Sequence, residues 1–408
     1  MENKNIKNFG YATQMIHGQL PADPNYGAIA APIYQTSTYC YESVEACGAV
    51  FAGESDGFGY SRGGSDPTTK QLQEKLALLE RGEACAITAS GMGAIGATFI
   101  AFSEKGSHII ADNCLYGCSD FALRDTLTKF GVEVTFMDLK DTEALKENLR
   151  ENTRLVFFET PTNPTMKVID IEAVSKIVHD YSEDIRVVVD NTFAPPPMQY
   201  PLDLGADVIV HSLTKYINGH GDVIAGAVIG REEDVKKIAG QAATKICGSH
   251  LGAFESFLVL RGLYTLELRL QRHCSNGLAL AKFLEGHEYI ERIEYPGLTS
   301  HPDHELAKRQ MHDMYGGVMS FEVKDGINGL SQFEAAKQIV NQLKIAKIAV
   351  SLGDPETLVQ HPAGMTHAVI PEEERIKADI TDGLIRVSAG LETEEDIIND
   401  FKQAFDSL

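Results

Sequence analysis

A lysine stands just past an apolar strand in the stretch Asp207-Val208-Ile209-Val210-His211-Ser212-Leu213-Thr214-Lys215-Tyr216. The hydroxyls of Ser212 and Thr214 lie beside it. In open α/β sheets, ligands gather beyond the carboxyl ends of the strands. A lysine there can be desolvated, which lowers its pKa and makes the amine a Schiff-base nucleophile. Taken alone, Lys215 reads more readily as a surface residue after a strand. Upstream, Val187-Val188-Val189-Asp190-Asn191-Thr192 ends a second strand on a carboxylate. A carboxylate at that depth costs desolvation unless it has a partner. A pyridinium nitrogen is such a partner, because the acid keeps the ring protonated and the ring becomes an electron sink. Taken alone, Asp190 also reads as the cap of the following turn.

A third feature is Ser90-Gly91-Met92-Gly93-Ala94-Ile95-Gly96, a G-x-G-x-x-G run after a strand and at the start of a helix, with Asp112 ending the next strand. That pattern fits a dinucleotide fold. Its physical content is narrower: glycines bare backbone N–H groups at a helix N-terminus, which holds a phosphate of any kind. The motif does not choose between a nucleotide and another phosphate ligand. The three features together do. Phosphate turn, strand-end Asp190 and strand-end Lys215, in that chain order, form one constellation for pyridoxal 5′-phosphate (PLP). An NAD-dependent oxidoreductase, the reading from another class, leaves Asp190 and Lys215 without roles.

Positioning these groups requires a sheet. Short apolar runs at Ala84–Thr88, His108–Ala111, Val132–Met137, Leu155–Glu159, Val187–Asp190 and Val208–His211 alternate with helical patterns, the first at Gln71–Leu79. This predicts an α/β fold with a mostly parallel central sheet flanked by helices. Residues 1–64, rich in Gly, Pro, Tyr and Ser, read as an extended arm that lies on another subunit. Residues 65–262 form the large cofactor domain. Residues 263–408, with a helix at Leu266–Leu284 and strands at Val318–Val323 and Leu384–Ser388, form a smaller α+β domain.

Composition bounds the rest. With 408 residues and a net charge of −22, the chain can bury a large core and is a poor match for nucleic acid. The first ten residues have no apolar stretch resembling a secretory signal, and no run is long enough for a membrane span. Seven cysteines, an odd number in a chain this long, point to a reducing cytoplasm rather than a disulfide framework. His301-Pro302-Asp303-His304 is not completed by further ligands, so no metal site is expected.

The chain resembles the Cys/Met-metabolism PLP enzymes, the cystathionine γ-synthase and γ-lyase family of fold type I. The resemblance rests on Tyr60-Ser61-Arg62, Ser90-Gly91-Met92-Gly93, Leu115-Tyr116-Gly117, Glu159-Thr160-Pro161-Thr162-Asn163-Pro164, Asp190-Asn191-Thr192, Ser212-Leu213-Thr214-Lys215-Tyr216, Gly219-His220-Gly221-Asp222 and Ser351-Leu352-Gly353. It implies that Lys215 carries the cofactor as a Schiff base, that Asp190 pairs with the ring nitrogen, and that Tyr116 stacks on the ring and moves protons. It implies that Ser90, Gly91, Met92, Ser212 and Thr214 hold the phosphate, with Tyr60 and Arg62 reaching over from a neighbouring subunit. Asn163 would sit near the ring hydroxyl. Arg386 would clamp the substrate carboxylate, with Ser351 assisting, since a guanidinium meets a carboxylate in two parallel hydrogen bonds. A homo-oligomer, a tetramer built as a dimer of dimers, follows from the same resemblance.

Within the family, Cys118 stands where methionine γ-lyases carry a cysteine. Phe121, Val350 and Gly59 stand where cystathionine γ-lyases place charged residues. The distal end of cystathionine needs charged partners, whereas the thioether methyl of methionine needs an apolar wall. The expectation is therefore a carbon–sulfur lyase for methionine. Cystathionine γ-lyase, homocysteine desulfhydrase and O-acetylhomoserine γ-replacement are the sibling alternatives. Two segments depart from the family pattern. Arg62-Gly63-Gly64-Ser65-Asp66-Pro67-Thr68 has one residue more than Arg-x-x-Asn-Pro-Thr, with Asp for Asn, and Ala242-Ala243-Thr244-Lys245-Ile246-Cys247-Gly248 replaces Leu-Lys-Asp-Met-Thr-Gly.

Overall fold

A computed structural model describes residues 6–18, 26–63, 66–366, 368, 372–377 and 379–408. Seven strands form the larger sheet: β1 Ala84–Thr88, β2 His108–Asp112, β3 Glu133–Met137, β4 Thr153–Glu159, β5 Arg186–Asp190, β6 Val208–Ser212 and β7 Gly226–Gly230. Their spatial order is β1-β7-β6-β5-β4-β2-β3. Every pairing is parallel except those of β7, which runs antiparallel to both β1 and β6. The predicted strands are present. β7, written Gly-Ala-Val-Ile-Gly, is an addition that sequence patterning did not expose. Its glycines are needed for close approach: a Cβ on Gly226 would lie 2.1 Å from the Ser90 carbonyl oxygen, and one on Gly230 would lie 2.5 Å from that of Asp207.

The central strands read as unbroken apolar runs because both faces are covered. Val187 and Val189 pack with Ile171, Val174 and Val178 of the helix Ile171–Tyr181. Val188 faces the other way, toward Ala94, Ile95 and Phe99 of the helix Gly91–Phe102. Each such fully buried side chain contributes about 1.5–3 kcal/mol, so a charged residue at Val188 would open the layer directly beneath Asp190.

A second sheet comprises β8 Ile290–Glu294, β9 Val318–Val323, β10 Lys347–Ile348, β11 Leu358–Gln360 and β12 Leu384–Ser388, in the order β10-β11-β12-β9-β8. The long helix Leu266–Glu285 and the last helix Glu394–Phe405 pack on it. One apolar cluster joins Leu213, Tyr216 and Ile217, in the turn that follows β6, to Leu270, Phe321, Val387 and Phe401. The lysine turn and the second sheet therefore share a core.

The N-terminal stretch contains helices at Tyr11–His17 and Val44–Ala52 and a bridge between Thr38 and Tyr60. Tyr26, Ile29, Val44 and Phe51 are largely exposed there. The extra residue near 62–67 falls at Gly64 and Ser65, which lie outside the described residues. Asp66 next to it caps the helix Pro67–Leu79, accepting from the N–H groups of Thr68 and Thr69 at 2.8 and 3.0 Å. Aspartate caps as well as asparagine, and Pro67 takes the first helical position, where its missing N–H costs nothing. The segment 242–248 lies in a wide helical turn, Ile238–Cys247, that stops at Gly248 with φ +57°.

Candidate active site

The site assembles where β1, β5 and β6 end. Ser90 caps the helix Gly91–Phe102 by accepting from the N–H of Gly93 at 3.0 Å. The N–H groups of Gly91 and Met92, in the first turn, have no intrahelical acceptor. Gly91 lies against the end of β6, for a Cβ there would come 2.9 Å from the Cβ of Ser212. The phosphate turn and the lysine turn are thus in contact. Thr192 on the β5 side receives the N–H of Ser212 at 2.8 Å, and Thr214 Oγ1 accepts from the N–H of Ala225 at 3.1 Å.

Lys215 donates to Ser351 Oγ at 2.8 Å. Ser351 holds a φ of +106°, a region that side-chain-bearing residues rarely occupy. Its carbonyl accepts from Arg386 at 2.6 Å, and Arg386 also donates to Asn163 Oδ1 at 3.0 Å. Lys215, Ser351, Arg386 and Asn163 therefore form one chain of contacts from four separate parts of the sequence. Burial, and then the nearby Arg386 charge, pull the Lys215 ammonium pKa down, while Asp354 opposes them. Arg386 is 6% exposed, its Nε has no partner among the described residues, and burial pulls its pKa down to about 10. A buried guanidinium with a donor to spare is suited to receive a carboxylate.

Asp190 ends β5 in register with Glu159, which ends β4. Asp190 Oδ1 accepts from the N–H of Thr192 at 3.0 Å. Glu159 accepts from the N–H of Tyr116 at 2.6 Å. Burial raises both carboxyl pKa values, and that of Glu159 rises further because Asp190 is beside it. Two acids side by side at a strand end favour a cation above them. A pyridinium fits that requirement, a free N-terminal turn fits a phosphate, and a desolvated lysine fits an aldehyde. On these three counts the residues suit PLP.

Tyr116 is 47% exposed. Its phenol is pushed up to about 12, first by its hydrogen bond with Cys118, then by burial and by Glu159. Within its own chain Arg62 stacks on Tyr60 and donates to the Thr244 carbonyl at 3.1 Å. No contact among the described residues joins Tyr60 or Arg62 to the Lys215 chain. Phe121 and Val350 are 58% and 56% exposed, so neither forms a closed wall within one chain. Cys118 is exposed, and its neighbour Ser119 reaches the Met92 sulfur at 4.0 Å, tying this turn to the phosphate turn.

Other candidates serve the backbone. Asp112 accepts from the N–H groups of Cys114 and Leu139. His220 and Asp222 bond within their own turn to Asn218. Sequence reasoning missed Glu159 as the holder of Tyr116 and Asp354 as the charge near Lys215. The strand-end position of Glu159, matching that of Asp190, was the available signal for the first.

The chain belongs to the Cys/Met metabolism PLP-dependent enzymes, whose sequence profile matches residues 12–406. It is 48% identical over 408 residues to an L-methionine gamma-lyase of Treponema denticola, with all of both chains covered. It is 42% identical to an L-methionine gamma-lyase of Pseudomonas putida, covering 97% of each. It is 41% identical to a cystathionine beta-lyase of Lactococcus lactis, covering 97% of this chain and 98% of that one. Among solved structures, metB from Corynebacterium glutamicum aligns with a TM-score of 0.89 at 34% identity, covering 98% of this chain and 99% of that one.

Proposed function

We propose that this protein is a PLP-dependent carbon–sulfur lyase that removes methanethiol from L-methionine by α,γ-elimination, with one water consumed to leave 2-oxobutanoate and ammonia, and that it also acts on homocysteine. The observation that carries this reading is the continuous chain from Lys215 through Ser351 to Arg386. Full-length similarity to several L-methionine gamma-lyases supports it.

Lys215 and Asp190 would hold PLP, at its aldehyde and its ring nitrogen, and the bound group would supply an electron sink for negative charge developing at the substrate Cα. The protein residues do the rest. Arg386 and Ser351 hold the carboxylate, which orients the Cα–H bond toward Lys215. Lys215, its pKa lowered by burial, takes that proton. Tyr116, held as the neutral phenol, delivers a proton to the departing sulfur. Its raised pKa keeps the phenol protonated at neutral pH. Ser90, Gly91, Met92, Ser212 and Thr214 hold the phosphate, and Asn163 sits at the ring hydroxyl. Phe121, Val350 and Cys118 face the thioether once a second subunit covers them.

Oligomerisation is part of the reading. Tyr60 and Arg62 act on the phosphate of a neighbouring subunit, and the exposed Tyr26, Ile29, Val44 and Phe51 give residues 1–64 an apolar surface for it to cover. The assembly is a tetramer of two such dimers, with 65–262 and 263–408 as the two domains of each subunit. Seven cysteines, none in a disulfide, support a cytoplasmic location as part of the same reading. No helix among the described residues is long and apolar enough to cross a membrane.

The lactococcal relative favours cystathionine as a second reading. Turnover of L-methionine, L-homocysteine and L-cystathionine, and of O-acetylhomoserine with a thiol, decides between them. Methionine should give the higher kcat/KM, and preference for cystathionine would overturn the substrate assignment.

A further inference from the structure

The helix Leu266–Glu285 carries three buried polar residues at Arg269, His273 and Asn276, which are 6%, 0% and 1% exposed. Their spacing of four and three places them on one face. Buried polar groups on a packed helix require partners, and here nearly all the partners are backbone carbonyls in two functional segments.

Arg269 meets the lysine turn. It donates to the carbonyls of Tyr216 at 2.6 Å and Ile217 at 3.3 Å, to that of Gly262 at 2.8 Å, and to Thr265 Oγ1 at 3.2 Å. No carboxylate pairs with it among the described residues. Lys215 and its followers form a helical turn, with Asn218 N–H on the Leu213 carbonyl and Gly219 N–H on that of Lys215. The carbonyls of Tyr216 and Ile217 are the acceptors such a turn leaves over at its C-terminal end, where a cation is favoured. The approach is so close that a Cβ on Gly219, which sits at φ +65°, would fall 1.7 Å from the Arg269 guanidinium.

The other two residues meet the segment after β12, the strand that carries Arg386. His273 Nδ1 bonds to the Ala389 carbonyl at 2.7 Å. Asn276 donates to the carbonyls of Gly390 at 2.9 Å and Glu392 at 3.0 Å. Burial pulls the His273 pKa down to about 4, so Nδ1 carries its proton as a neutral donor. The His273 ring also packs edge-on against Tyr216, 5.1 Å between centroids. One rigid face thus touches the chain one residue after Lys215 and three residues after Arg386.

We infer that this stripe is a ruler: Arg269 fixes the Lys215 turn, His273 and Asn276 fix the base of Arg386, and the helix between them sets the spacing of amine and carboxylate clamp. The three are positioning residues, since none reaches the cofactor or substrate. The inference rests on the roles given above to Lys215 and Arg386.

The test separates the two ends. Variants Arg269→Met, Arg269→Lys, His273→Leu and Asn276→Leu are purified as full-length protein and checked by circular dichroism. Three quantities are then measured: the rate at which added PLP attaches to the apoprotein, followed by absorbance, and kcat and KM for methionine. Arg269→Met should slow attachment and lower kcat at least tenfold while KM stays within about twofold. Arg269→Lys, which keeps the charge without the fork, should fall between it and wild type. His273→Leu and Asn276→Leu should raise KM several-fold with attachment unchanged. If the Met variant does not fold, Arg269→Lys and Asn276→Leu still carry the contrast. Folded variants whose effects are absent, or equal on all three quantities, would overturn the ruler. A wild type that attaches no PLP would instead overturn the proposed function.

Discussion

Replacing Arg386 by lysine tests the carboxylate clamp with a single change. The guanidinium spends one nitrogen on Asn163 and one on the Ser351 carbonyl, and its Nε is buried without a partner. A bound carboxylate supplies the missing acceptor. A lysine keeps the charge but offers one nitrogen, so one charge-assisted hydrogen bond to the substrate is lost. Such a bond is worth about 1.5–3 kcal/mol, which corresponds to a drop of about 10- to 150-fold in kcat/KM. The loss should appear mostly as a higher KM for methionine. Methylthiopropylamine, which has the amine and thioether but no carboxylate, should bind both proteins equally. A variant within twofold of wild type on methionine, or one that loses the amine as severely as methionine, would refute the clamp.

Other consequences follow from the same contacts. In the apoprotein, Arg386→Met should move the Lys215 ammonium pKa up, because the Arg386 charge helps to lower it; the pH profile of Lys215 modification by an amine reagent should shift to the alkaline side. An unshifted profile would remove Arg386 from the electrostatics of the lysine. Gly91→Ala drives a Cβ to 2.9 Å from Ser212 and should weaken PLP binding at least tenfold, measured by spectroscopic titration. Glu159→Ala leaves the Tyr116 N–H without its acceptor, at a cost of about 1–3 kcal/mol, and should lower kcat, whereas Glu159→Gln keeps an acceptor oxygen and should stay near wild type. Cys118→Ala removes the largest influence raising the Tyr116 pKa, so difference titration of the phenol should shift downward.

The central sheet was legible in the sequence because its strands are covered on both sides. Runs such as Val187–Val189 have no polar alternation and end abruptly at Asp190. β7 was not, since its glycines read as a turn-rich tail, although the neighbouring backbone demands them. β8, Ile290–Glu294, spans only five positions, sets two charges side by side rather than alternating, and carries too weak a pattern. The site was legible wherever chemistry coincides with a strand end, as for Lys215 and Asp190. Distance in sequence concealed the rest. Nothing near Ser351 announces that its hydroxyl meets Lys215, and an arginine within a helix, such as Arg269, reads as a solvated charge until the carbonyls it holds are seen.

The most direct measurement reduces the PLP-treated protein with borohydride, digests it, and locates the modified peptide by mass. It should be the peptide containing Lys215, and the same protein before reduction should release methanethiol and 2-oxobutanoate from L-methionine in equal amounts. Label on another lysine, or methionine turnover that survives Lys215→Ala, would contradict the account.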